Sequence, residues 1–450
     1  MTPSRVARIA ATFSIAIGLS LFAGAVPAVA TERVDRQIQS IELVGGPDTR
    51  FVIGERRYAG PITFTLFTDG ISLSETASIE QYLEGIAEMP FSWPTQALQA
   101  QAVAARTYLA RTLLPGRGGD GADHEYDICA TSRCQVYRGV SLVEGPSGER
   151  WRAAVQNTAD ELVLYEGKPI EAVFTSMVGS RSRANQDVWS SAPVPYLQPV
   201  DSPEVGIAPY AEWSVEITAD EFVAILMAEG LDVGGELEGI SVDDPVEGDG
   251  RTTITITTSE GTDEILAPHL KGAFNRFGDE LFPGLLPMRL EEGKKLPEPL
   301  PSYTFDVERV GTLPSALEEF LAPFDLVGVD SVVISGEGWG HGVGMSQWGA
   351  RIFADQGVSY DEILSHYYSG LEPESVPDLV PDEVVVGLAT QRSHYEVIVE
   401  GEAEIRVNGI ASDSFLSGEW LVREWADGLI IVSADDPGST LSLFQRFWPF

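Results

Sequence analysis

The densest chemistry in this sequence lies between Ser331 and Gly370. There a strand-like Val332-Val333-Ile334 runs into Gly336-Glu337-Gly338-Trp339-Gly340-His341-Gly342-Val343-Gly344-Met345-Ser346-Gln347-Trp348-Gly349-Ala350. Five glycines fall within nine residues, Gly336 to Gly344. Glycine permits positive φ and close backbone approach, so such a run brings a ligand or another strand against its main chain. Its neighbours His341, Ser346 and Gln347 can hydrogen-bond a polar ligand, and the rings of Trp339 and Trp348 suit sugar faces. A tight structural loop explains the glycines but not His, Ser and Gln together, so the segment is read as half of a saccharide groove. Ser346 has no visible triad partner and no Gly-x-Ser-x-Gly elbow occurs, which argues against a serine hydrolase.

Two further groups could do chemistry. The helix-like stretch from Pro94 to about Leu113 sets Gln101, Arg106 and Tyr108 among alanines and leucines, where plain core packing does not account for them. His124, Cys129 and Cys134 stand with four residues between each successive pair, and Asp127 is nearby. That set reads two ways: a structural zinc held by one His and two Cys, or a Cys129–Cys134 disulfide closing a four-residue loop. No other cofactor is called for.

The elements that must position these residues can be traced along the chain. Phe51 to Phe67 alternates as short strands. Ser78-Ile79-Glu80-Gln81 has the form of a capping box and opens a helix leading to Glu88-Met89-Pro90. Leu98, Ala102, Ala105, Leu109 and Leu113 form the buried stripe of the next helix. Pro115 to Gly121 reads as a glycine-rich loop. Gln135 to Arg138 reads as a strand, and Leu162 to Tyr165 as one arm of a hairpin whose other arm is Ile170 to Thr175. Trp213 to Phe282 reads as strand, capped helix and strand, giving an inserted α/β subregion over about 205–300, with a proline- and charge-rich linker from Glu291 to Pro301. Short strand-like runs after Pro381 predict a small β module over 381–450. The main domain is read over 31–380.

Four stretches in order resemble the stage II sporulation protein D family. They are Glu88-Met89-Pro90 with Ala97 to Tyr108, then Cys134-Gln135-Val136-Tyr137, then Asn185 to Val200 with Asp187-Val188-Trp189 and Pro195-Tyr196-Leu197, and last Gly338 to Gln347. The resemblance spans roughly Phe51 to Leu371 and is weak across the inserted subregion. It implies a mixed α+β fold for the main domain and a lytic transglycosylase acting on the glycan strands of peptidoglycan, with Glu88 as the acid, and it adds Gln135 and Tyr137 to the groove. Read without it, Glu88 is a surface acid favourable to the next helix. One glutamate suits lytic transglycosylation, in which the sugar's own C6 hydroxyl attacks, whereas a hydrolase usually needs two carboxylates flanking the bond. Glu84, one turn earlier, reads as a solvated helix face. Some members of the family hold a metal with a His and two Cys in this region. Others are named as enhancers of autolysins, so a non-catalytic wall-binding partner of an amidase is the competing function.

Composition bounds these readings. The 450 residues are 44% hydrophobic and 22% charged, enough for a sizeable core. With 29 basic against 68 acidic residues the formal net charge is −39, which excludes nucleic acid as a partner for want of a basic footprint. Arg5 and Arg8, an apolar run from Ile9 to Val26, and Ala28-Val29-Ala30 predict a signal peptide over 1–30 cleaved after Ala30, and with it a secreted or cell-wall location. An uncleaved anchor is the alternative. The sequence leaves the oligomeric state open.

Overall fold

The computed structural model describes residues 38–114, 124–145, 148–189, 191–243, 252–283, 296–310, 330–425 and 428–434. The apolar N-terminal segment and the glycine-rich loop at 115–121 lie outside them.

The chain opens with five short strands, β1 (Ser40–Gly45), β2 (Arg50–Ile53), β3 (Arg56–Tyr58), β4 (Ile62–Phe67) and β5 (Gly70–Ser78). Ser78 then caps helix α1 (Ile79–Glu84), with its side chain and that of Gln81 exchanging hydrogen bonds with each other's backbone. Helix α2 (Thr95–Thr112) follows from Pro94. Alanine allows neighbours to close on α2 from every side, so it is buried all round rather than along one stripe. Next come β6 (Ile128–Cys129), α3 (Gly148–Asn157), β7 (Glu161–Tyr165), β8 (Lys168–Pro169), β9 (Phe174–Thr175) and α4 (Asn185–Trp189). β7 turns back to pair with β8 at Lys168–Pro169, ahead of the second arm expected at Ile170–Thr175. Phe174–Thr175, expected in that arm, instead pairs in parallel with a later segment at Met345–Ser346. Gln135 to Arg138 is not a strand; Tyr137 makes a single bridge to Ile86.

A second core is built by β10 (Glu212–Thr218), α5 (Ala219–Glu229), β11 (Leu237–Asp243), β12 (Thr253–Thr258), β13 (Thr262–Leu266), α6 (Ala267–Leu281), β14 (Thr304–Val310) and β15 (Ser331–Glu337). Thr218 and Glu221 form the expected capping box. The subregion reaches past the expected boundary at 300. Leu296 and Leu300, expected in a linker, are buried in this core, and β15 is the middle strand of the β10-β15-β14 sheet. The glycine-rich segment therefore leaves from a strand fixed on both edges.

The chain closes with β16 (Met345–Ser346), α7 (Gln347–Asp355), α8 (Tyr360–Tyr367), β17 (Pro373–Ser375), β18 (Glu383–Arg392), β19 (His394–Val407), β20 (Ile410–Trp425) and β21 (Gly428–Ser433). The last four were expected to form a module of their own. They instead join β1 to β6 in one ten-stranded sheet, ordered β21-β20-β19-β1-β4-β5-β18-β6, with β2 paired to β19 and β3 to β2. Leu43 lies opposite Ile405 and Thr76 opposite Val385. The apolar residues of both chain ends alternate onto one shared core, which neither end could bury alone. No helix among the described residues is long and apolar enough to cross a membrane.

Candidate functional site

Glu88 sits just beyond α1, where Gly85 ends the helix and the chain turns to meet residues 136–138. Ala87 donates its N–H to the Val136 carbonyl at 2.9 Å. In return the Val136 N–H donates to Glu88 Oε1 at 2.6 Å. The side chain is half-buried, and burial pushes its carboxyl above the ordinary range while the Val136 hydrogen bond opposes the rise. Such a group keeps its proton nearer neutrality than a surface glutamate does. Glu84 is not a second free carboxylate, since its Oε2 faces Arg152 Nε at 3.4 Å.

The glycine-rich segment is pressed against protein, not left open. Trp339 and Met177 exchange backbone hydrogen bonds at 3.1 and 3.0 Å, and Met345 N–H reaches the Val173 carbonyl at 3.2 Å. A Cβ on Gly344 would lie 2.1 Å from the Val173 oxygen, on a residue whose φ is already +73°. The glycines thus serve a neighbouring strand, and side chains are what the segment can offer a ligand. Those side chains diverge. His341 accepts from Val343 N–H at Nδ1 (3.1 Å) and packs on Trp189 with centroids 5.0 Å apart. Burial pulls its imidazole down to about 4, against a backbone hydrogen bond with Phe174 that acts the other way. Trp339 donates from Nε1 to Glu298 at 2.9 Å and meets Tyr210 edge-on. Ser346 is wholly buried, caps α7 at Gly349, and donates to Glu204.

Gln347 and Gln101, 246 positions apart, are hydrogen-bonded at 3.2 Å in the interior, and Gln101 Nε2 is left with no partner. One turn further along α2, the Ala105 carbonyl accepts from Gln135 Nε2 at 3.2 Å, and Gln135 adjoins the residue that holds Glu88. Gln101 and Ala105 thus lie about one turn apart on α2, the first bonded to Gln347 and the second to the neighbour of Val136. Trp93, shortly after Glu88, and Trp348 meet edge-on at 5.2 Å, with the Arg351 guanidinium over both rings.

Several expected groove residues serve the fold instead. Arg106 is fully buried and donates to the carbonyls of Thr158 and Val155 at 2.7 and 3.0 Å, closing the end of α3. Gln135 accepts from Tyr82 Oη at 2.7 Å, and Tyr137 donates to Glu75 at 2.7 Å; both are inaccessible. Tyr108 is half-buried and packs on the core. Cys129 and Cys134 form a disulfide, while His124 turns to Asp69 at 3.0 Å. With both sulfurs bonded to each other, the three do not fit a zinc, and among the described residues no group of three His, Cys, Asp or Glu side chains could hold a metal.

Two buried carboxyls were not anticipated. Glu204 gathers the N–H groups of Val178 and Gly179 with the hydroxyls of Ser202 and Ser346, tying the 178–204 loop to α7. Nothing in Ser202-Pro203-Glu204 distinguishes it from a surface turn. Glu75 did leave a signal, for it shares the inward face of β5 with Leu73 and Ala77.

Comparison with known proteins gives the same family that the motifs resemble. The model of the stage II sporulation protein family matches residues 68–165, a stretch that holds Glu88, α2 and the disulfide. Stage II sporulation protein D of Bacillus subtilis is 27% identical over 323 residues, covering 70% of this chain and 79% of that protein. Its counterpart from Bacillus amyloliquefaciens is 28% identical over 69% of this chain and 78% of its own. The amidase enhancer of Bacillus subtilis is 28% identical over 63% of this chain but only 38% of its own length. Over residues 68–165, and at 27–28% identity across about 70% of its length, the chain is thus similar to the stage II sporulation protein D family.

Proposed function

We propose that this chain cleaves the glycan strands of peptidoglycan by lytic transglycosylation, with Glu88 as acid and then base. A cell-wall related role is what its relatives support. The observation that carries the finer reading is the state of Glu88: half-buried, raised in pKa and held by one amide, while the neighbouring Glu84 is taken up by Arg152. Glu88 protonates the glycosidic oxygen as the bond to C1 breaks. The C6 hydroxyl of the same muramyl ring then attacks C1 and returns its proton to Glu88, leaving a 1,6-anhydro end. The positively charged, apolar and small-residue order of the first thirty residues supports export to the wall.

The test is digestion of purified glycan strands followed by mass spectrometry. Wild-type protein should release 1,6-anhydro-muramyl ends, and Glu88→Gln should fold normally but release none, since an amide cannot protonate the oxygen. Reducing ends from the wild type, or full turnover by Glu88→Gln, would overturn the mechanism. The similarity to an amidase enhancer favours a second reading, in which the chain binds wall and stimulates another hydrolase. That reading expects no cleavage by the isolated protein and a faster amidase when the two are mixed.

A further inference from the structure

Glu75 is nearly inaccessible, has no cationic partner among the described residues, and occupies a strand position where an apolar side chain would pack at less cost. Its Oε1 accepts the N–H groups of Ala59 and Gly60 at 3.1 and 2.8 Å, and its Oε2 accepts Tyr137 Oη at 2.7 Å. Tyr137 is held on its other sides as well. Its ring stacks on Tyr82 at 5.2 Å and 16°, and Gly85 lies so close that a Cβ there would sit 2.2 Å from Tyr137 Cε2. Its carbonyl accepts from Arg56 at 3.3 Å. The residue before it, Val136, supplies the one amide that holds Glu88.

We infer that Glu75, acting through Tyr137, is the positioning residue that keeps the Val136 amide on Glu88. The inference rests on the proposed role of Glu88. The Val136 N–H favours the ionised carboxyl and so limits how far burial raises it. Without the Tyr137 anchor that amide drifts, the Glu88 carboxyl rises further, and its orientation loosens. The titratable or charged groups facing Glu75 are Tyr137, which its hydroxyl joins directly, and Tyr58 on β3; Tyr82 and Arg56 stand behind them, so no ion pair competes for the carboxyl.

The experiment is a carbon-13 NMR titration of the glutamate carboxyls in the full chain, with Glu88 assigned by its loss in Glu88→Gln. Tyr137→Phe removes one hydroxyl and no volume, and it should raise the Glu88 midpoint by roughly half a unit or more. The alkaline limb of kcat should move the same way and kcat should fall about tenfold with KM little changed. Glu75→Leu should do the same. Glu75→Gln should restore the wild-type midpoint, because its carbonyl can accept from Ala59 and Gly60 while its NH2 donates to Tyr137 Oη. A wild-type Glu88 midpoint in folded Tyr137→Phe overturns the inference, and Tyr137→Phe carries the test alone if Glu75→Leu does not fold. The midpoint is read without substrate, so a shift in Tyr137→Phe alongside an active Glu88→Gln would keep the positioning and discard the proposed function.

Discussion

Glu75 and Glu88 are both pushed up by burial, yet they bear on different observables. Glu75 rises from 4.5 to about 7 in the folded protein, so between those values the folded chain holds a proton that the unfolded chain has released. Stability from this group is therefore complete below pH 4.5 and is lost as pH rises through 7, on the order of 3 kcal/mol across the window. Thermal melts from pH 4.5 to 7.5 should show Glu75→Gln losing less stability than wild type over that span; parallel curves would mean Glu75 does not titrate there. His341 carries no comparable lever, since a group brought down to about 4 stays neutral over the same range and cannot tune Glu88 by charge. Glu88 stood out only through the family resemblance, since its residue type alone reads as a surface acid. The setting of Arg106 and the family motif at Gln135 and Tyr137 pointed to a groove, but their buried partners are backbone carbonyls, a tyrosine and a carboxylate up to 62 positions away. Nothing in local spacing reveals such partners.

Elements whose cause is local were legible, and those that depend on a distant partner were not. The capping boxes at Ser78 and Thr218 needed only residues three apart. The short strands within Phe51 to Phe67 likewise followed from their own residues. The partner of Phe174–Thr175 lay some 170 residues on, and a glycine-rich run does not announce whether a strand or a ligand will fill the space it leaves. The structure answers through two glycines with the same backbone sign. Gly344 faces the Val173 oxygen at 2.1 Å from an added Cβ, whereas Gly342 meets only the flexible Arg183 side chain at 3.5 Å. Both substitutions to alanine carry the positive-φ cost of about 1 to 2 kcal/mol, and only Gly344→Ala adds a clash with backbone. Gly344→Ala should therefore melt well below Gly342→Ala by calorimetry; equal losses would return the segment to the role of an open ligand loop.

For the molecule as a whole, the mixed α+β class came with the family resemblance, while the joining of early and late strands in one sheet was not legible. Strand patterns give a face but no neighbour, so β18 to β21 read as a separate unit. A chain ending after Asp382 would strip β1 and β5 of their outer neighbours, leaving each only β4, and open the core around Ile41, Leu43 and Leu73. It should be insoluble or melt without cooperativity, as read by near-ultraviolet circular dichroism; a soluble fragment with the intact protein's transition would make the C-terminal strands an independent module after all. The same pairing has a kinetic side. Ile41 finds its place beside Val407, so β1 waits for a strand more than 360 residues later before the sheet can close. Contacts so far apart along the chain are slow to form, and until they do the early strands present open hydrogen-bonding edges. This protein's most exposed moment is its own synthesis, and whatever shields it then must stay until the final hairpin has arrived.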